Sequence, residues 1–184
     1  MKRAQLWAAV AGVVLVAVAV VWFARRDAAG EGIALLDRLD AAQKRTNVES
    51  PDQFAVGEVT IGGESRRAIL ALPHSRLIWQ VSVPAGGWME VAFALTPDAW
   101  ENAEGADGVQ FRIGVSDGRI YDELLRQVVD PARDRRWFTA RLDLAAYEGR
   151  TVDVIFNTDP GPPGSTNTRN DRAVWGEPRI YTRP

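Results

Sequence analysis

The stretch Leu77-Ile78-Trp79-Gln80-Val81-Ser82-Val83 decides the fold class, because large apolar residues recur in it at every second position. A period of two is typical of a β-strand that buries one face. Later stretches repeat the pattern, with Met89, Val91, Phe93 and Leu95 in one, Val109, Phe111, Ile113 and Val115 in another, and Val152, Val154 and Phe156 in a third. These strands are expected to share one core.

Shorter strands are predicted around these four. They are expected at Ala55–Ile61, Arg66–Leu72, Arg119–Val128, Trp137–Leu144 and Val174–Tyr181, with turn residues between them. Many short strands separated by turns are typical of an antiparallel sandwich. Residues 54–184 are therefore predicted to form one all-β domain.

The first 26 residues have a different composition. Leu6–Phe23 carries no charge, and as a helix it would be about 27 Å long, close to the thickness of a hydrocarbon core. Trp7 and Trp22 lie near its ends and Arg25 and Arg26 follow it, as expected at a membrane interface. The A-x-A matches of this region lie inside the run, which favours an uncleaved anchor over a cleaved signal peptide. Residues 1–26 are predicted to be a cytoplasmic stub and one transmembrane helix.

Lysine and arginine are nearly balanced across this run, so the positive-inside rule decides little. Lys2 and Arg3 nevertheless fit the start of a signal-anchor. The expected location is the bacterial inner (cytoplasmic) membrane, with a single pass, the N-terminus in the cytoplasm and the C-terminal domain in the periplasm.

Residues 27–53 are predicted to connect the anchor to the sandwich. Asp27–Arg45 places Ile33, Leu36 and Leu39 at helical spacing, which predicts a short amphipathic helix. Its apolar side could lie on the membrane, on the domain or on a partner. Asn47–Gln53 is a short linker. The domain is therefore expected close to the bilayer.

Composition excludes several functions. The net charge is −2, which suggests no nucleic-acid partner, and the absence of cysteine excludes disulfides and thiol chemistry. Gly161–Thr166 resembles a phosphate loop only in its glycines, because it lacks the lysine and its prolines remove N–H donors. No nucleotide or other cofactor is expected.

The segment from Trp137 through Leu142–Leu144, Tyr147 and Gly149 resembles the penultimate part of galactose-binding-like jelly-roll domains. The closing segment Trp175–Ile180 is similar to their last strand. The resemblance covers about residues 54–181 and implies a jelly-roll β-sandwich. It implies no single function, because this fold hosts glycan binding, protein binding and structural roles.

In glycan-binding members of this family, loops at one end carry aromatic, Arg or Asn contacts, often beside calcium. The residues proposed here for contact with a ligand or partner are Trp88, Trp100, Asn167 and Arg169. Each tryptophan could instead cap the sandwich.

Calcium is a weaker expectation. Asp159, Asn170 and Asp171 offer hard oxygen ligands, although turn chemistry accounts for Asn and Asp equally well.

Enzymatic activity is not expected. His74 could form a triad only with Ser75 or Ser82, and nothing in the sequence positions such a triad. A glycosidase pair could come only from acidic residues that lie in or beside loops, namely Glu101, Glu104, Asp107, Asp122 and Glu123.

Two functions follow from these observations. The first is a non-catalytic accessory or structural subunit of a larger membrane protein complex, for which a respiratory or photosynthetic assembly is a natural host. The alternative is a membrane-anchored carbohydrate-binding module of the cell envelope.

Overall fold

The structure, a computed structural model, describes residues 32–101 and 103–182. Within these residues the chain forms eleven β-strands and three short helical segments. The strands are β1 (Ile33–Ala34), β2 (Gln43–Thr46), β3 (Val56–Ile61), β4 (Glu64–Leu70), β5 (Ser75–Ser82), β6 (Trp88–Leu95), β7 (Val109–Ser116), β8 (Tyr121–Val129), β9 (Phe138–Asp143), β10 (Thr151–Pro160) and β11 (Ala173–Tyr181). The helical segments are α1 (Pro97–Glu101) and the 3₁₀ turns Leu36–Ala41 and Ala145–Tyr147.

The strands form two antiparallel sheets. The first sheet has the order β3-β4-β11-β6-β9, with β1 also paired to β11. The second sheet has the order β2-β5-β10-β7-β8. The prediction of an all-β antiparallel sandwich is confirmed.

The core lies between the sheets and contains the residues that the period of two selected. The apolar residues of β5, β6, β7 and β10 named above are all buried. Aromatic rings fill the centre, where Trp175 lies 4.7 Å from Phe156 and 4.9 Å from Phe111 between ring centroids. The indole N–H of Trp175 donates to the Thr158 hydroxyl over 3.0 Å, which satisfies the one polar atom that this ring buries.

The predicted amphipathic helix over 27–45 is wrong for its described residues, 32–45. The chain there forms β1, a 3₁₀ turn and β2, and these strands pair with β11 and β5. Leu35 is fully buried and its N–H donates to the Pro178 carbonyl over 2.9 Å. The backbone N–H and C=O groups at the edges of β5 and β11 need hydrogen-bond partners. Pairing of β1 and β2 with these edges outweighs the local helical pattern.

The apolar run Leu6–Phe23, with Trp7, Trp22, Arg25 and Arg26, lies outside the described residues. Within 32–101 and 103–182, no helix has the length and apolar character needed to cross a bilayer. The anchor stays a prediction.

The sandwich has two unlike ends. One end, which we call the turn end, carries the connections 62–63, 83–87, 117–120 and 144–150, and the other, which we call the loop end, carries 47–55, 71–74, 96–108, 130–137 and 161–172. Gly32, where the described chain begins, lies at the turn end against Ile180 and Tyr181.

Candidate functional site

Asn167 and Arg169 lie together at the loop end, where they join two loops. The Asn167 side-chain amide donates to the Gly105 carbonyl over 2.8 Å, and the Arg169 backbone N–H donates to Asn167 Oδ1 over 3.0 Å. These bonds hold the 161–172 loop against the 96–108 loop. Asn167 therefore has a structural task at this position.

Trp100 lies in α1 and is partly buried. Its ring packs against the core and also against a small apolar cluster on the outer face of the first sheet. Trp137 packs on the same cluster and donates its indole N–H to the Glu64 carbonyl over 3.1 Å. Trp100 thus closes an edge of the sandwich and leaves little free ring surface.

Trp88 lies on the outer face of the first sheet, as its alternation predicts. Its ring stacks on Tyr181 with centroids 4.6 Å apart, and the guanidinium carbon of Arg141 lies 5.4 Å from its centroid. Glu90 holds Arg141 through a 2.7 Å bond. A depression of about 230 Å³ lies beside this group, lined by Trp88, Arg141, Leu142 and Asp143. Protein side chains contact both Trp88 faces, so the ring is a poor stacking platform.

The three calcium candidates have different surroundings. Asp159 accepts two bonds from Arg112, of 2.9 and 2.6 Å. Asp171 is 4% exposed and lies near Asp107, and burial followed by the Asp107 charge raises the pKa of Asp171 to about 7. Asn170 has a left-handed backbone, with φ of 58°. Across the described part of the chain, no group of three or more His, Cys, Asp or Glu residues is placed to hold a metal.

The residues considered for catalysis are engaged elsewhere. His74 Nδ1 lies 3.8 Å from Asp159, whereas the Ser82 hydroxyl pairs with Thr151 over 3.1 Å. The Tyr147 hydroxyl donates to Asp122, and burial followed by this bond raises the pKa of Tyr147 to about 12. Ser75 Oγ is buried and makes no hydrogen bond, so among the described residues neither Ser75 nor Ser82 bonds to His74.

The outer face of the second sheet carries an arrangement that the sequence did not reveal. Register pairing aligns one residue from each of its five strands, in the order Arg45, Arg76, Asn157, Arg112 and Arg126. We call this set the arginine row. Inward neighbours such as Leu77 and Phe156 are buried in the core, so the row faces outward.

The two halves of the arginine row have different partners. Arg112 binds Asp159, and Glu123 binds Arg126 over 2.6 Å and lies 3.6 Å from Arg112. The guanidinium groups lower the pKa of Glu123, chiefly through its bond with Arg126. Carboxylates therefore neutralise the row on β7 and β8.

On β2 and β5 the partners are neutral amides. Arg76 Nε donates to the Asn157 side-chain oxygen over 2.6 Å, and Arg45 donates to the Gln43 side-chain oxygen over 3.2 Å. No carboxylate of the described residues pairs with either guanidinium. Arg45 and Arg76 are exposed and directly opposite each other.

Beside the arginine row runs an apolar strip, which we call the apolar floor. It consists of Ile78, Ile155 and the Tyr121 ring lying over Gly114. A Cβ at position 114 would lie 2.3 Å from the ring, so an alanine there would force the exposed end of the Tyr121 side chain to move. Tyr121 is 45% exposed, which leaves its outer side open to solvent.

Alternation along Val109–Val115 predicts that Arg112 faces outward on β7, but it cannot assemble this face. The row joins strands separated by up to 81 residues along the chain between Arg45 and Arg126, and register cannot be read from one sequence. The sequence held one local sign of this face, which is that arginine recurs at outward positions of several strands.

Known structures of similar fold include carbohydrate-binding modules. CBM51 from Clostridium perfringens GH95, in complex with methyl-galactose, superposes with a TM-score of 0.55 and 12% identity, over 82% of this chain and 99% of that one. CBM51-2 in complex with GlcNAc, solved with the INT domains of Clostridium perfringens ZmpB, gives a TM-score of 0.55 and 12% identity, over 83% of this chain and 32% of that one. At this identity the likeness shows a shared jelly-roll sandwich fold.

No protein-family model matches the sequence. An uncharacterized protein of Archaeoglobus fulgidus is 30% identical over 151 residues, which cover 80% of this chain. The match spans 36% of that relative, so the chain corresponds to about a third of its length.

Proposed function

We propose that this protein is a non-catalytic carbohydrate-binding module whose ligand lies across the outer face of the second sheet. The observation that carries the proposal is the flat, half-exposed ring of Tyr121 over Gly114. An exposed aromatic face suits the apolar side of a sugar ring, and it lies among side chains that can bind hydroxyls. The similar fold of CBM51 structures supports this choice over the subunit hypothesis.

The apolar floor and the polar side chains on either side of it match the shape of a short sugar chain. Ile155, which is partly exposed, continues the apolar surface from Gly114 onto β10, and Ile78 beside it on β5 is 7% exposed. With strands about 4.8 Å apart, this path is roughly 10 Å, the length of a disaccharide. Arg112 on one side, and Gln80, Asp153 and Ser116 on the other, supply hydrogen-bonding groups, whereas Asn157 is buried beside Arg76. Planar polar side chains around an apolar platform provide orientation and specificity.

The test uses the full 184-residue chain in detergent micelles on a glycan array, followed by calorimetry with the best ligand. Tyr121→Ala is expected to weaken binding at least ten-fold, and Tyr121→Phe to retain most of it, because the ring face makes the contact. Tyr181→Ala is the matched control, since it removes a tyrosine from the opposite sheet. Equal affinity of Tyr121→Ala and wild type would refute this site.

The accessory-subunit function, the membrane anchor and the periplasmic location stay predictions, because they depend on Leu6–Phe23. They are compatible with glycan binding, since a module can be anchored. Native separation after mild detergent extraction distinguishes them. Co-migration with other membrane proteins favours a subunit, and migration as a free monomer contradicts it.

A further inference from the structure

We infer that the ligand is an acidic glycan, with a uronate carboxylate or a sulfate held between Arg45 and Arg76. This inference rests on the proposed function and names the ligand class of the same face. Carboxylates neutralise Arg112 and Arg126 in the arginine row, whereas Arg45 and Arg76 have only neutral amide partners. Like charges directly opposite each other on neighbouring strands repel, and the pair on β2 and β5 has no carboxylate to offset this repulsion.

The two guanidiniums are placed to receive an anion. Arg76 uses its Nε–H on Asn157, which leaves its terminal N–H groups free of any protein partner among the described residues. Arg45 likewise uses one terminal nitrogen on Gln43. Arginine presents its N–H groups in a planar fork that matches carboxylate and sulfate oxygens. An anion between Arg45 and Arg76 would accept hydrogen bonds from both guanidinium groups and offset the repulsion between them.

Protection of an edge strand explains only part of this pattern. Charged side chains on edge strands prevent pairing with other chains, and β2 is an edge strand of the second sheet. That argument applies to Arg45. It does not apply to Arg76, because β5 lies inside the sheet between β2 and β10.

The anion site and the apolar floor are close enough to act on one ligand. Arg76 and Ile78 are two positions apart on β5, so their side chains share a face about 7 Å apart. Ile155 and then the Tyr121 ring over Gly114 follow along the floor. An oligosaccharide stacked on Tyr121 would therefore place its far unit beside Arg76 and Arg45. This arrangement predicts preference for a chain with an acidic unit over its neutral counterpart.

The test compares one polysaccharide backbone with and without charge. Oligogalacturonate and its methyl ester share the same sugars, and calorimetry measures both with the full chain in detergent. Where a sulfated glycan is the better ligand on the array, it is compared with its desulfated form. Wild type is expected to bind the acidic form at least ten-fold more tightly, because bonds to charged groups are strong. Arg45→Gln and Arg76→Gln should each remove most of that preference and leave binding of the neutral form unchanged.

Arg67→Gln is the matched control, because Arg67 is an exposed strand arginine on the first sheet. Circular dichroism confirms that each variant is folded. Binding of neutral glycans without any acid preference would overturn this inference and leave the proposed function standing. Binding of no glycan, neutral or acidic, would overturn both. Equal binding of single-stranded DNA would also overturn it, because that result indicates a general polyanion surface.

Discussion

Asp171 makes the stability of the folded sandwich depend on pH in a direction opposite to that of an ordinary salt-bridged carboxylate. It is 4% exposed, and its Oδ2 has no hydrogen-bond partner. Burial, and then the Asp107 charge, raises its pKa from 3.8 to about 7. Between those two values the folded state holds a proton that the unfolded state has lost. The free energy of unfolding therefore falls as pH rises through this window.

The magnitude follows from the size of the shift. Each pH unit between the two pKa values lowers the free energy of unfolding by up to about 1.4 kcal/mol. The full decrease above pH 7 is therefore about 4 kcal/mol. Relaxation of the loop end reduces this to about 2–4 kcal/mol. Asp171→Asn removes the charge and keeps the shape, so it should be close to neutral near pH 4 and stabilising by that amount near pH 8.

Urea unfolding at a series of pH values, with a chelator present, measures this difference. Asp52→Asn is the control, because Asp52 is exposed and should give a difference that stays small at every pH. A difference between Asp171→Asn and wild type that is constant from pH 4 to pH 8 would refute the reasoning. Repeating the series in millimolar calcium tests the weaker metal prediction. An ion held by Asp171 would restore wild-type stability at high pH.

Two further predictions concern the sheet faces. Gly114→Ala should weaken glycan binding, because the new Cβ displaces the Tyr121 ring, and should change the free energy of unfolding in urea by less than about 1 kcal/mol, because the exposed ring can move aside. The control Gly57→Ala, which meets nothing within 4 Å, should be neutral or slightly stabilising. Trp175→Phe should cost about 2–4 kcal/mol by thermal or urea unfolding, since it opens a cavity and removes the Thr158 bond. A cost under half of that would contradict the central role of Trp175 in the core.

The core was predictable because its signal is local. Alternation along Leu77–Val83 gives the buried face without reference to any other strand. The region around Leu35 was not predictable, because the spacing of its apolar residues favours a helix and only the sheet edges beside it favour strands. The exposed aromatic ring was missed for a related reason. Trp88 is covered by Tyr181 and Arg141, whereas Tyr121 is left open, and each outcome depends on residues from other strands.

The point where the segment after Leu6–Phe23 joins the sandwich bears on both proposed roles. Gly32 lies at the turn end, and the nine Cα–Cα steps from Phe23 to Gly32 can span at most about 32 Å. If Leu6–Phe23 anchors the protein, the tether therefore joins the sandwich at its turn end. Arg76 is the second residue of β5 and lies toward the loop end. The arginine row then lies on the half of its sheet farther from the point where the tether joins the domain, so the attachment point does not cover it.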